Sequence, residues 1–228
     1  MNKKSIATFA LGLACCGTAY SQATVPFSSP TWKDFGTTNI TSVTGNFLPG
    51  WTSLTASPDL GNNLFFIPTT SLSGAANDAA IWMNAFDLSS PSGASNESVR
   101  LSLNGFSIGQ VYQLDFHATL TQVTSAGWSG NNHSLDVAIS GADIASFNTS
   151  ILSDPIDSDG MNVWDAQSIV FTAMSTAITF DFGGNPSVDP SGIATRYGFD
   201  GMDIRPVPTP GVAAIVPAVG LCALRRRR

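Results

Sequence analysis

Between Val111 and Leu120 every second residue is apolar: Tyr112, Leu114, Phe116, Ala118 and Leu120 alternate with Gln113, Asp115, His117 and Thr119. A two-residue period puts the first set on one side of an extended chain and the second on the other, the pattern of a strand with one face in a core. The alternation recurs at Val99-Leu101-Leu103, Leu135-Val137-Ile139, Ile169-Phe171-Ala173 and Ile178-Phe180-Phe182. Weaker candidates lie at 40–44, 51–55, 64–67, 80–83, 144–147 and 198–205. Clusters rich in Ser, Asn, Gly and Pro at 89–96, 124–132 and 183–192 separate them and read as turns and loops. No long stretch repeats apolar residues at helical spacing, so helix should be scarce. About ten short strands joined this way predict an all-β domain, a two-sheet antiparallel sandwich. A jelly roll closes that many strands with few exposed edges.

The two ends break the pattern. Lys3 and Lys4 precede an uncharged run from Ser5 to Gly17, followed by the small residues Ala19, Ser21 and Ala23. This is the layout of a secretory signal peptide over 1–23, with lipidation at Cys15 or Cys16 the rival reading. At the other end, 206–228 holds a proline cluster (Pro206, Pro208, Pro210), an apolar run from Gly211 to Leu224, and Arg225, Arg226, Arg227 and Arg228. As a helix that run would span roughly 21 Å, short of the ~30 Å hydrocarbon core of a bilayer, and Pro217 interrupts it. The arginine block should stay on the cytoplasmic side. The segment reads as a transient hydrophobic membrane helix, with an ordinary short tail anchor as the alternative.

Between the ends, 24–205 is the size of one domain with its own core. Its four basic residues stand against all sixteen acidic ones, a formal charge of −12 that the whole-chain value of −6 conceals. Such a charge repels polyphosphate and excludes nucleic acid as a partner. All three cysteines (Cys15, Cys16, Cys222) lie in the end segments, so the domain has no disulfide, thiolate metal site or cysteine nucleophile.

Several stretches, taken in order, carry a resemblance. They are Phe47-Leu-Pro-Gly-Trp-Thr52, Gly105 followed by Gln110-Val-Tyr-Gln-Leu-Asp-Phe116, Leu135-Asp-Val-Ala-Ile139, Trp164-Asp-Ala-Gln-Ser-Ile-Val-Phe-Thr-Ala173 and Gly198-Phe-Asp-Gly-Met-Asp-Ile204. Together they resemble the secreted galactose-binding-like jelly-roll domains of unknown function found in bacteria and plants. Asp200-Gly201 stands where that family tends to have two consecutive acidic or amide residues. The tail resembles a PEP-CTERM sorting signal, with Thr209 where the usual motif has glutamate. That resemblance implies a membrane-embedded exosortase as partner, transient residence in the inner membrane, and a final location at the cell surface or outside the cell.

Candidate chemistry is sparse. There is no Gly-x-Ser-x-Gly elbow, His-Glu-x-x-His motif or phosphate loop. His117 shares a strand face with Asp115, and with His133 could supply a metal site or an acid–base pair, although no spacing demands it. Asp154, Asp157 and Asp159, ahead of Gly160, suit a hard cation such as Ca²⁺ or form a solvated acidic loop. Trp128, with Asn131 and Asn132 beside it, could bind a saccharide by stacking and amide hydrogen bonds, or fold back over the sheet. Trp51, Trp82 and Trp164 are expected in core or edge packing. A tail that resembles a sorting signal, joined to a domain that resembles galactose-binding-like jelly rolls and lacks a catalytic constellation, implies an exported, non-enzymatic protein that interacts with envelope or extracellular polysaccharide. The alternatives are a structural matrix component without a defined ligand and a glycan-cleaving enzyme.

Overall fold

The computed structural model describes residues 24–36, 40, 43–55, 58–62, 79–85, 97–121, 134–149, 152, 163–185 and 195–208. Twelve strands are present among them: β1 Val25–Pro26, β2 Asn46–Leu48, β3 Trp51–Thr55, β4 Asp59–Asn62, β5 Ala79–Ala85, β6 Ser98–Asn104, β7 Val111–Thr121, β8 Ser134–Ser140, β9 Ser146–Asn148, β10 Asp165–Thr172, β11 Ala177–Asn185 and β12 Thr195–Pro206. The one helical element among the described residues is a single 3₁₀ turn, Pro30–Trp32, capped by Ser29. No helix among the described residues is long and apolar enough to cross a membrane.

The strands form two sheets. The seven-stranded sheet runs β2-β3-β6-β11-β8-β9, with β1 parallel against β6, and the five-stranded sheet runs β10-β7-β12-β5-β4. From β5 onward each connection except the β8–β9 hairpin carries the chain to the opposite sheet. The resulting orders, β5-β12-β7-β10 and β6-β11-β8-β9, are the paired Greek keys of a jelly roll.

Alternation along the strands builds the core. Tyr112, Leu114, Phe116, Ala118 and Leu120 are buried on the inner side of β7, facing Leu101, Val137, Phe180 and Phe182 of the other sheet. Aromatic rings join the layers: Phe182 and Phe199 stack at 4.8 Å, and the Trp51 ring lies within 6 Å of both. Trp51 arrives there through a tight turn. Leu48 pairs with Trp51, leaving Pro49 and Gly50 as the two-residue link, and Gly50 has φ 82°. Proline fixes the first turn position and glycine takes the left-handed second one. A Cβ on Gly50 would also lie 2.9 Å from Val25 Cγ2. The Trp51 indole N–H donates to the Trp32 carbonyl at 2.8 Å, burying both tryptophans with their polar atoms satisfied.

The strong alternating segments all became strands. Among the weaker ones, Ile40 forms only an isolated bridge with Leu60, and the strand expected at 144–147 begins at Ser146. Segment 64–67 lies outside the described residues. Three strands carry no signal in the sequence, β1, β2 and β4, which are too short to show a period, and neither does the buried role of Trp32. The last strand also takes in Pro206, opposite Tyr112. Just beyond it, the Val207 N–H donates to Val111 O at 2.9 Å, and Val207 O accepts from Gln110 Nε2 at 2.9 Å.

Register gives the sandwich two unlike ends. The connections 86–97, 122–133, 149–164 and 186–194 join strand ends that meet at one pole, where Thr195 pairs with Ala85 and Arg196 with Thr121. The opposite pole carries the short connections 105–110, 141–145 and 173–176, together with β1 and the end of β12.

Candidate functional site

Of the residues singled out in the sequence, Trp128, Asn131, Asn132, His133, Asp154, Asp157 and Asp159 lie outside the described residues, as do Pro210 and Arg225 to Arg228. Pro206 closes β12 and Pro208 follows it, exposed. Among the described residues no group of three or more His, Cys, Asp or Glu side chains is placed to hold a metal ion.

The described chemistry concentrates on the outward face of the five-stranded sheet. Strand pairing sets it out in rows. Gly198 of β12 lies opposite Thr119 of β7 on one side and Trp82 of β5 on the other, and Trp82 in turn faces Asp59 of β4. Trp164 immediately precedes β10 beside Thr119, whose hydroxyl donates to Val163 O at 2.7 Å. The two indoles approach to 6.0 Å between centroids, tilted by 59°. Trp82 is only 2 % exposed, its N–H donating to Gly61 O at 3.0 Å, whereas Trp164 keeps part of its surface open to solvent.

This arrangement requires glycine at 198. A Cβ there would come within 2.6 Å of Trp82 Cζ3, so the ring rests directly on backbone. The sequence reading assigned Trp82 to packing, and it is buried. It is buried on the outer side of the sheet, because residues opposite an inward pair such as Ile81 and Phe199 alternate outward.

The next row holds His117 and Asp200, paired across β7 and β12. The His117 Nδ1 atom is buried without a hydrogen-bond partner among the described residues. Asp200 is largely buried and accepts from the Gly201 N–H at 2.6 Å. One row further, Asp115 accepts from Gln113 Nε2 at 2.7 Å and pairs with Arg205 at 2.7 Å, while Asp203 pairs with Lys33. The carboxylate that shares a face with His117 in the sequence is therefore engaged by Arg205, and the acid across from the imidazole is Asp200.

A bulge produces this second partnership. Asp200 lies opposite His117 and Asp203 opposite Asp115, so three residues of β12 span two of β7. In an unbroken strand residues 200 and 203 would face opposite sides. The extra residue lets both carboxylates face outward while Phe199, Met202 and Ile204 stay in the core. No sequence signal specific to this arrangement was read; a glycine within an alternating strand is the usual hint.

Two further ionisable groups among the described residues serve packing and strand pairing. Arg100 and Asp181 pair directly across β6 and β11 through two contacts of 2.5 Å, and this hydrogen bonding holds the guanidinium pKa above its ordinary value. Burial in the core pushes the Tyr197 phenol well above the usual tyrosine range, with the Asp136 charge adding to the effect.

No protein-family model and no curated protein matches the chain. Solved structures it resembles include the K1 cleaved adhesin domain of Lys-gingipain from Porphyromonas gingivalis, at 13 % identity and TM-score 0.44, covering 75 % of this chain and 99 % of that one. Another is the N-terminal cellulose-binding domain of β-1,4-glucanase C from Cellulomonas fimi, at 14 % identity and TM-score 0.40, covering 77 % and 98 %. A third is TmCBM61 in complex with β-1,4-galactotriose, at 10 % identity and TM-score 0.38, covering 78 % and 95 %. Likenesses this distant say nothing of activity, and the jelly-roll assignment rests on the strand order.

Proposed function

We propose that the protein is an exported binding module, not a catalyst, that holds envelope or extracellular polysaccharide on the outward face of its five-stranded sheet around Trp164. The observation that carries this reading is a partly exposed indole seated on a second, buried one, beside the His117–Asp200 pair. A fixed aromatic surface suits the apolar side of a pyranose ring, and polar side chains next to it suit hydroxyl groups. Trp128, Asn131 and Asn132 belong to connection 122–133, which joins strand ends at the Trp164 pole, and we assign them a supporting part in binding. Asp154, Asp157 and Asp159 belong to connection 149–164 at the same pole, and we assign them a Ca²⁺ site of oxygen ligands.

Export and sorting complete the proposal. The signal peptide sends the chain through the inner membrane, and the proline cluster, apolar run and arginine block hold it there for an exosortase-type enzyme. The product then resides at the cell surface or in the matrix.

Glycan-array binding and polysaccharide pull-down with the folded domain test the ligand reading. Binding that Trp164→Ala weakens by about 2 kcal/mol or more, roughly 30-fold, is the expected result. His117→Ala and Trp128→Ala should each weaken it less. Absence of binding to every envelope or matrix polysaccharide, with and without Ca²⁺, would overturn the proposal and leave a structural matrix component.

A further inference from the structure

The pole opposite Trp164 has an unusual surface for so acidic a domain. Its three short connections, 105–110, 141–145 and 173–176, contain a single charged residue, Asp143, whose carboxylate accepts from the Thr172 N–H at 2.6 Å. The two most exposed large apolar side chains among the described residues lie there: Ile108 at 66 % and Met174 at 60 %. Main-chain hydrogen bonds hold their segments together. Gly109 N donates to Ala173 O at 2.8 Å, Ala173 N to Gln110 O at 3.0 Å, and Phe106 N to Thr176 O at 3.3 Å.

The exit of the C-terminal segment is fastened to the same place. Val207 is bonded through its N–H to Val111 and through its carbonyl to Gln110, the residue that also accepts from Ala173. From Pro208 only three residues lead to Gly211, where the apolar run begins. Three extended residues cover roughly 10 Å. A chain whose apolar run enters a bilayer cannot hold this pole far from the headgroups.

We propose that the short-connection pole is a membrane-facing surface, with Ile108 and Met174 resting in the headgroup region of the bilayer that the C-terminal run enters. The inference rests on reading that run as membrane-inserted. Near-neutrality is what such a surface needs, because clustered carboxylates would be repelled by anionic lipid and would resist losing water. The eleven residues of β7 then set the Trp164 pole about 35 Å from the membrane at ~3.3 Å per residue, pointing away from the surface. The domain would stand upright with its sugar-binding face clear of lipid.

The test uses Thr24–Arg228, which contains the whole sandwich and the tail, with Cys222→Ser. It carries one fluorescent probe on Ile108→Cys, Met174→Cys or, as the control at the opposite pole, Val163→Cys. The protein is reconstituted into phosphatidylethanolamine–phosphatidylglycerol vesicles containing headgroup-nitroxide lipid. Carbonate extraction reads tail insertion separately. Retention with several-fold stronger quenching at 108 and 174 than at 163 is expected. Retention with equal quenching at all three positions would overturn the membrane-facing surface alone. Release by carbonate would overturn the tail reading and this inference with it. All three sites are exposed, so the substitutions leave the fold intact.

Discussion

Gly198 is the residue on which the outer aromatic pair depends. Gly198→Ala places a methyl group inside the Trp82 ring and should destabilise the domain by about 1–3 kcal/mol through overpacking. Chemical denaturation reads the stability change, and an altered tryptophan emission maximum reports the displaced ring. Tyr197 provides a pH-dependent test. Its folded pKa is raised by burial, so the favourable contribution of the protonated phenol is fully present below the ordinary tyrosine value of 10 and declines as pH climbs above it. An alkaline titration should show the Tyr197 phenolate only as the domain unfolds. In residues 24–228 with Tyr112→Phe, where Tyr197 is the one tyrosine left, phenolate absorbance at pH 10 with intact near-ultraviolet circular dichroism would disprove the enclosure. Single residues of this kind are poorly legible in sequence. Gly198 looks like any strand glycine until the partner across from it is known to be tryptophan, and Tyr197 lies just ahead of the weak segment at 198–205.

Strands were the most legible elements, and their irregularities the least. The inner set of β7 follows from alternation alone, since burying one face of a pleated strand admits no other period. The bulge in β12 does not, because its position depends on which residues of β7 lie opposite. It makes a definite prediction. Deleting Gly201 removes the extra residue and leaves Phe199, Met202 and Ile204 inward, so the domain should still fold. Its melting temperature should stay within about 4 °C, the shift of ~1 kcal/mol in a domain of this size. Deleting Gln113 from unbulged β7 should abolish folding, because it turns one half of that strand's apolar set outward. Circular dichroism and thermal melts of the two deletions separate these outcomes.

Across the molecule, two poles with different chemistry frame both functional proposals. Trp164 and the ends of β5, β7, β9 and β11 lie at one, and β1, the end of β12, Ile108 and Met174 lie at the other. Polysaccharide binding should fail on changing the first and persist on changing the second, while lipid proximity should show the reverse. The all-β class, the acidic, cysteine-free composition of 24–205 and the face assignment of the strong strands were all present in the amino-acid order. Those properties depend on neighbours along the chain: alternation, charge and the chemistry of short runs. The pairing of His117 with Asp200 instead of Asp115, the contact of Trp82 with Trp164, and the gathering of apolar side chains at the pole where the tail leaves were not. Each joins residues tens of positions apart or turns on one extra residue in a ladder. Only the strand order and register of the folded sandwich fix which distant side chains meet.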